Sequence, residues 1–279
     1  MCRFVAYMGK NVLLSEILIK PEHSLIKQSL LSRESRTVTN GDGFGLGWYT
    51  TFSKNPALFT SLFPAWNDRN LAYLAKKTKA PLFFGHVRAA SSGGISQFNC
   101  HPFLYKNWMF MHNGWIPFFE KVKREFHNLL DDDIYKWVKG STDSEIIFAL
   151  FLQLSKKYKT HQLIDIVHIL QETFSLIISI VKKHQNKAVA HLNICISNGK
   201  HLVACRYCTS KHIKPETMYL SLNEQLIENK AINPPQSVVI ASEKLTKSRK
   251  DWKLIPSNNY VMVESNLDIS IQPLLLNES

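Results

Sequence analysis

No uninterrupted apolar run in this sequence approaches the roughly 18 to 20 residues that a membrane-spanning helix needs. The opening Met1-Cys2-Arg3-Phe4-Val5-Ala6-Tyr7-Met8 has one early basic residue and no long apolar core, so it does not read as a secretory signal. Neither a membrane partner nor export is expected, and a cytoplasmic, reducing compartment follows. Cysteine is sparse: five residues, an odd number without regular spacing, read as free thiols and not as a disulfide framework. Gly/Ser-rich and Pro-rich linkers are missing, and so is any internal repeat. With 279 residues and 45% hydrophobic content, the expectation is one compact domain spanning 1–279.

An Arg-rich arm is also missing. The net charge is +12, but Lys and Arg are scattered in small clusters such as Lys76-Lys77-Thr78-Lys79 and Lys156-Lys157. No nucleic-acid partner is expected; the excess reads as a solvated basic face that attracts anionic substrates. His201, Cys205, Cys208 and His212 have the near-symmetrical spacing of four zinc ligands. Strand alternation, however, sends Cys205 and Cys208 to opposite faces, so no metal and no cofactor is expected.

Short apolar runs broken by glycine fill the first half: Cys2 to Met8, Gly43 to Phe52, Pro81 to Arg88 and Trp108 to Met111. They predict strands feeding loops. A helical block follows. Asp143 to Tyr158 carries Ile146, Ile147, Leu150, Phe151 and Leu154 on one face, with Thr142 and Glu145 at capping-box spacing. Gln162 to Val181 repeats the helical period through Leu163, Ile166, Val167, Leu170, Phe174 and Ile177. Strands return at Lys187 to Ile196 and His201 to Tyr207, joined by the hairpin signal Asn198-Gly199, then at Thr217 to Leu222, Ser237 to Ala241 and Tyr260 to Glu264. Strands, helices, strands in that order favour an antiparallel α+β sandwich. Tyr135 and Trp137 are expected to face the core, and Leu274-Leu275-Leu276 reads as a packing tail.

Removal of Met1 is favoured before a small residue, and it would leave Cys2 holding both a thiol and a free α-amine. That amine titrates near pH 7.7 to 8.0 and can take the thiol proton, so nucleophile and base would be one residue. Alone, Cys2 reads equally as a small residue opening a buried strand. Arg88 ends an apolar run and is followed by small residues, the setting of a guanidinium that grips a carboxylate or of an ordinary ion pair. Asn113-Gly114 closes another run, where an amide and a backbone N–H can converge on an oxyanion or simply form a turn. Asp143 opens the first long helix, as an N-terminal carboxylate or as the partner of a substrate ammonium. Gly41, Gly43, Gly45 and Gly47 alternate without the helix signal of a dinucleotide loop, clearing side chains from one face. His86 and His112 read as hydrogen-bonded structural residues.

These pieces together resemble the class II, N-terminal-nucleophile glutamine amidotransferases, in particular the small YafJ-type subgroup that includes the γ-glutamyl amidohydrolase of ergothioneine biosynthesis. The resemblance rests on Met1-Cys2-Arg3, Gly41-Asp42-Gly43-Phe44-Gly45, Gly85-His86-Val87-Arg88-Ala89-Ala90-Ser91, Asn99-Cys100-His101-Pro102-Phe103, His112-Asn113-Gly114 and Thr142-Asp143-Ser144-Glu145. They fall in the family's order within residues 2–150; the later Leu202 to Tyr207 and Ala241-Ser242-Glu243, with Trp252 following, also resemble the subgroup's C-terminal strands, so that strands across 185–270 complete the sandwich. Cys100 stands where a small polar residue is expected. The resemblance implies a four-layer αββα sandwich of two antiparallel sheets. It implies Cys2 as nucleophile and, through its amine, base; Arg88 with Ser91 on the substrate α-carboxylate; Asp143 on the α-ammonium; and Asn113 with the Gly114 N–H as oxyanion hole. Hydrolysis of glutamine or a γ-glutamyl amide is the implied reaction. A glutaminase subunit serving a separate synthetase, a catalytically silent γ-glutamyl-binding protein and a homodimer stay open.

Overall fold

The computed structural model describes residues 2–90, 93–160, 162–222 and 237–276. Thirteen strands among these residues form two antiparallel sheets. The first sheet runs β11 (Lys253–Leu254), β9 (Tyr219–Ser221), β10 (Ser237–Ala241), β1 (Arg3–Leu13), β4 (Lys79–Val87), β2 (Phe44–Thr50) and β3 (Ser53–Ser61). The second runs β13 (Ile269–Pro273), β12 (Asn259–Val263), β8 (Leu202–Arg206), β7 (His191–Ser197), β6 (Trp108–Trp115) and β5 (Phe103–Tyr105). The short helices α1 (Ser15–Leu18), α2 (Leu25–Leu30) and α3 (Arg69–Lys77) cover the first sheet. The second is covered by α4 (Phe119–His127), α5 (Asp132–Trp137), α6 (Asp143–Ser155) and α7 (Leu163–His184). The result is the αββα sandwich expected from the sequence.

Strand periodicity explains how three apolar layers arise from two sheets. In β1, Val5 and Tyr7 join the cluster under α1 to α3, while Phe4, Ala6 and Met8 enter the layer between the sheets. In β6, Phe110 turns toward the helices and Met109 and Met111 toward the other sheet. Gly45 and Gly47 let β2 approach that sheet: a Cβ at Gly45 would overlap the His101 carbonyl, and one at Gly47 the Met109 sulfur and Pro102.

Several expectations are adjusted. The β6 strand runs on to Trp115, so Asn113 and Gly114 lie inside a paired strand and not in a turn. Helix α6 is buried on nearly every side, not along one stripe. The Thr142 hydroxyl caps the Glu145 N–H at 3.2 Å, but the Glu145 carboxylate turns instead to the N–H groups of Lys139 and Gly140, so the capping box is half formed. A full box appears at Gln162 and Asp165. Tyr135 is 54% exposed, because a six-residue helix has one inward face and Ile134 fills it, while Trp137 does pack on Phe148. Helix α7 is long and apolar enough to cross a membrane, yet Ile166, Val167, Leu170, Phe174 and Ile177 are core residues, which accounts for its composition.

Candidate active site

At one end of the sandwich the layer between the sheets changes from apolar to polar. Period-2 alternation carries the inward face of β1 from Ala6 and Phe4 to Cys2, and that of β4 from Leu82 and Phe84 to His86 and Arg88. On the opposing sheet the same rule carries Met109 and Met111 to Asn113 and Trp115, and Leu202 and Ala204 to Arg206 and Cys208. Four of the six residues expected at the site, Cys2, Arg88, Asn113 and Gly114, therefore lie at this end.

Cys2 is half-buried just before β1, against the residues that follow β4. Its thiol donates to the Ala89 carbonyl at 3.5 Å and accepts from the Ala89 N–H at 3.4 Å. Burial raises the thiol pKa above its ordinary value, while the Ala89 N–H and the Arg88 and Arg3 charges act in the opposite direction. Arg3 locks the backbone here: its Nε donates to the Cys2 carbonyl at 2.6 Å, and its fully buried guanidinium pairs with Glu243 at 3.4 Å. Glu243 also takes the His23 ring at 2.6 Å and the backbone N–H groups of Arg33 and Glu34 at 3.0 Å. Burial works against the Glu243 charge, but these partners hold its carboxyl below the usual range.

Arg88 is buried, and its guanidinium donates to the Gly93 and Gly94 carbonyls at 3.3 Å each. The segment bearing those carbonyls is pinned by Asn99, whose amide donates to Gly94 at 2.8 Å and to the Ser141 hydroxyl at 3.2 Å, and accepts from the Ser141 N–H at 2.9 Å. Ser141 leads into α6, so Asn99 links the Arg88 segment to Asp143. Asp143 is buried at the first turn of α6, accepting from Ile116 N–H at 2.8 Å and from Ser144 N–H at 2.9 Å. Ser91 lies outside the described residues.

Asn113 is 1% exposed, and neither its amide nitrogen nor its oxygen has a hydrogen-bond partner among the described residues. A buried amide without partners is costly unless a ligand completes it. Gly114 is required by close approach, since a Cβ there would overlap the His191 carbonyl on β7. His112 is hydrogen-bonded as expected, to Ser144 Oγ at 2.8 Å and to the His191 carbonyl at 3.0 Å. For His86 neither ring nitrogen meets hydrogen-bond geometry among the described residues, although the His112 backbone favours its charged form. The ring nitrogens of His101, which lies tilted against it at 4.1 Å between centroids, likewise lack partners among the described residues. Burial keeps both rings neutral, lowering His86 to about 3 and His101 well below its ordinary value. Cys205 lies in the helix-side core and Cys208 turns to His191, at 3.7 Å, so the two thiols of the zinc-like spacing do occupy opposite faces.

Residues that sequence reasoning gave no role include Asn99, Glu243, Glu216 and His191. Asn99 and Glu243 carried a signal, their place in matched motifs; Glu216 and His191 carried none, because they meet across 25 residues of chain.

The family described as glutamine amidotransferases class-II matches residues 13–271, a span that begins after Cys2. The probable glutamine amidotransferase DUG3 of Saccharomyces cerevisiae is 37% identical over 303 residues, covering 99% of this chain and 85% of that protein. The gamma-glutamyl-hercynylcysteine sulfoxide hydrolase of Mycobacterium tuberculosis is 28% identical over 116 residues, 41% of this chain and 49% of that one. Among solved structures, a glutamine aminotransferase class-II domain protein from Silicibacter pomeroyi superposes with a TM-score of 0.70 at 24% identity, covering 98% of this chain and 100% of that chain. At that identity the likeness speaks for the fold.

Proposed function

The chain belongs to the class-II glutamine amidotransferases, and from that premise we propose that it is an Ntn-type cysteine amidohydrolase cleaving the γ-amide of glutamine or a γ-glutamyl compound through a Cys2 thioester. One observation carries the reading. The buried amide of Asn113, without a partner among the described residues, stands by strand alternation at the same polar end of the inter-sheet layer as Cys2.

Loss of Met1 would leave the Cys2 α-amine, titrating near pH 8, to accept a proton from a thiol that burial disfavours as thiolate. The thiolate attacks the γ-carbon, and the negative oxygen is stabilised by Asn113 Nδ2 and the Gly114 N–H. The C–N bond then breaks, and the departing amine takes the proton held by the α-ammonium. Water, deprotonated by the same amine, attacks the thioester and releases glutamate. Arg88, aided by Ser91, holds the substrate α-carboxylate, and Asp143 its ammonium. The machinery draws on both sheets, so residues 1–279 act as one catalytic unit.

The test is turnover of protein with a native N-terminus on glutamine and a panel of γ-glutamyl amides, with intact mass reporting loss of Met1. Cys2→Ala and a tagged N-terminus are each expected to abolish activity, and a glutamine-analogue electrophile to label Cys2. Activity with Met1 retained sinks the mechanism. Absence of any adduct points to a binding protein, and turnover seen only with an added synthetase points to a glutaminase subunit.

A further inference from the structure

Cys2 and Asn113 stand on different sheets, so the separation of nucleophile and oxyanion donor depends on how the sheets are held together at that end. A line of hydrogen bonds crosses there. Phe4, two residues after Cys2, donates its N–H to Ser242 Oγ at 3.0 Å, and its carbonyl accepts from the Ser242 N–H at 3.0 Å. The Ser242 carbonyl accepts from Thr217 Oγ1 at 2.9 Å. Glu216, the next residue, reaches over to the second sheet, where its carboxylate meets His191 Nδ1 at 2.7 Å. The His191 carbonyl receives His112 Nε2 and abuts Gly114, and its ring stacks on Trp115 at 3.9 Å. The Glu216 carbonyl accepts from Asn193 Nδ2 at 2.8 Å, and Asn193 is the cross-strand neighbour of Asn113.

We propose that Glu216 and His191 are positioning residues for the amide cleavage, their ion pair tying the strand of Asn113 and Gly114 to the sheet that carries Cys2. The proposal rests on the roles given above to Cys2 and Asn113. Residues 112, 114 and 115 sit directly on His191, and residue 113 lies beside Asn193, so Glu216 braces the whole segment through its side chain and its carbonyl. Cys208, His191 and Glu216 have the order of nucleophile, base and orienting carboxylate. Cys208 is fully buried, however, so no substrate reaches its sulfur, and the cluster acts as a brace and not as a second reaction centre.

The brace is charged. Burial disfavours the imidazolium, but the Cys208 sulfur and the Glu216 carboxylate outweigh it and raise His191 to about 9. Burial likewise opposes the Glu216 charge, and His191 holds that carboxyl below its ordinary value. The other ionisable groups facing the pair are His112, linked to Asp143, on the β6 and α6 side, and Arg36, whose charge acts on Glu216. Arg206, whose Nε meets the Glu216 carbonyl at 2.7 Å, and Arg3 also interact with the Glu216 charge. A folded-state pKa raised this far means the ion pair is intact at neutral pH and is lost as pH rises through about 9.

Glu216→Gln keeps a hydrogen-bond acceptor and removes the charge. We expect kcat to fall at least about 10-fold with KM changed less than about 3-fold, because the glutamyl-binding groups are untouched. Because Glu216 helps to raise the His191 value to about 9, any alkaline loss of kcat that the pair contributes should move to lower pH in E216Q. Parent-like kcat and an unmoved alkaline limb in a folded E216Q protein overturn the proposal. Should E216Q not fold, Glu216→Asp, which keeps the charge and shortens the reach to His191, decides: kcat lowered at least about 3-fold at parent-like KM supports the brace, and parent-like kcat overturns it. Turnover by Cys2→Ala would instead overturn the underlying reading, so the two failures are told apart.

Discussion

Asn113 has a whole side-chain amide buried without a hydrogen-bond partner among the described residues. Asn113→Ala is expected to lower turnover by roughly 100- to 1000-fold while leaving the thermal midpoint unchanged or raised. Steady-state kinetics beside a melting curve check both halves, and near-normal turnover removes Asn113 from the site. Arg3 makes the opposite case, a residue for stability. Arg3→Met would strip one partner from the buried Glu243 carboxylate, and breaking a buried pair costs about 3 to 5 kcal/mol. His23 and two backbone N–H groups still serve Glu243, so the lower end of that range is expected in urea titration. Cys2, which opens an apolar run, and Arg88 and Asn113, which close two others, could be singled out as candidates because each belongs to a local motif. Glu243 stood in a matched motif but without a role, since Arg3 lies 240 residues away, and Glu216 could not be singled out at all, because its partner His191 is 25 residues away.

At the scale of elements, periodicity places most strands within a few residues and fails where burial is one-sided or weak. The β3 strand, Ser53 to Ser61, is mostly exposed, contains Pro56 and edges its sheet, so it shows no alternation to read. The β6 strand was legible to Met111, but its polar continuation looked like a turn because Asn-Gly usually marks one. That continuation gives the third prediction. Gly114→Ala sets a Cβ against the His191 backbone carbonyl, which cannot swing aside, so β6 and β7 must part where the oxyanion hole stands. Such overpacking typically costs about 1 to 3 kcal/mol, and activity should fall out of proportion to stability. Gly47→Ala is the control: it crowds Pro102 and the sulfur of Met109, a residue of the apolar part of the layer between the sheets. Equal activity losses per unit of destabilisation would show that Gly114 matters only for packing.

For the molecule as a whole, buried histidines on both sides of the neutral range shape stability against pH. His86 and His101 are buried with depressed values, so the stability they confer is complete above their unfolded value of about 6.5 and is lost as pH falls toward about 3, the value for His86. A shift of that size corresponds to several kcal/mol at order of magnitude. His191 has the reverse sign: its contribution is complete below about 6.5 and declines as pH rises through about 9. Folding stability should therefore peak near neutrality, with Glu216 and Glu243 adding a further loss on the acid side as their carboxyls protonate below the ordinary range. Urea unfolding from pH 4.5 to 9.5 would trace this dome. His101→Phe replaces a ring whose nitrogens have no partner among the described residues, so it should flatten the acid side and leave the alkaline side alone. Glu216→Gln should flatten the alkaline side and also remove the Glu216 share of the acid-side loss, and a parent curve without an acid-side decline between about pH 6.5 and 4.5 would mean that the two packed imidazole rings are not held neutral by the fold.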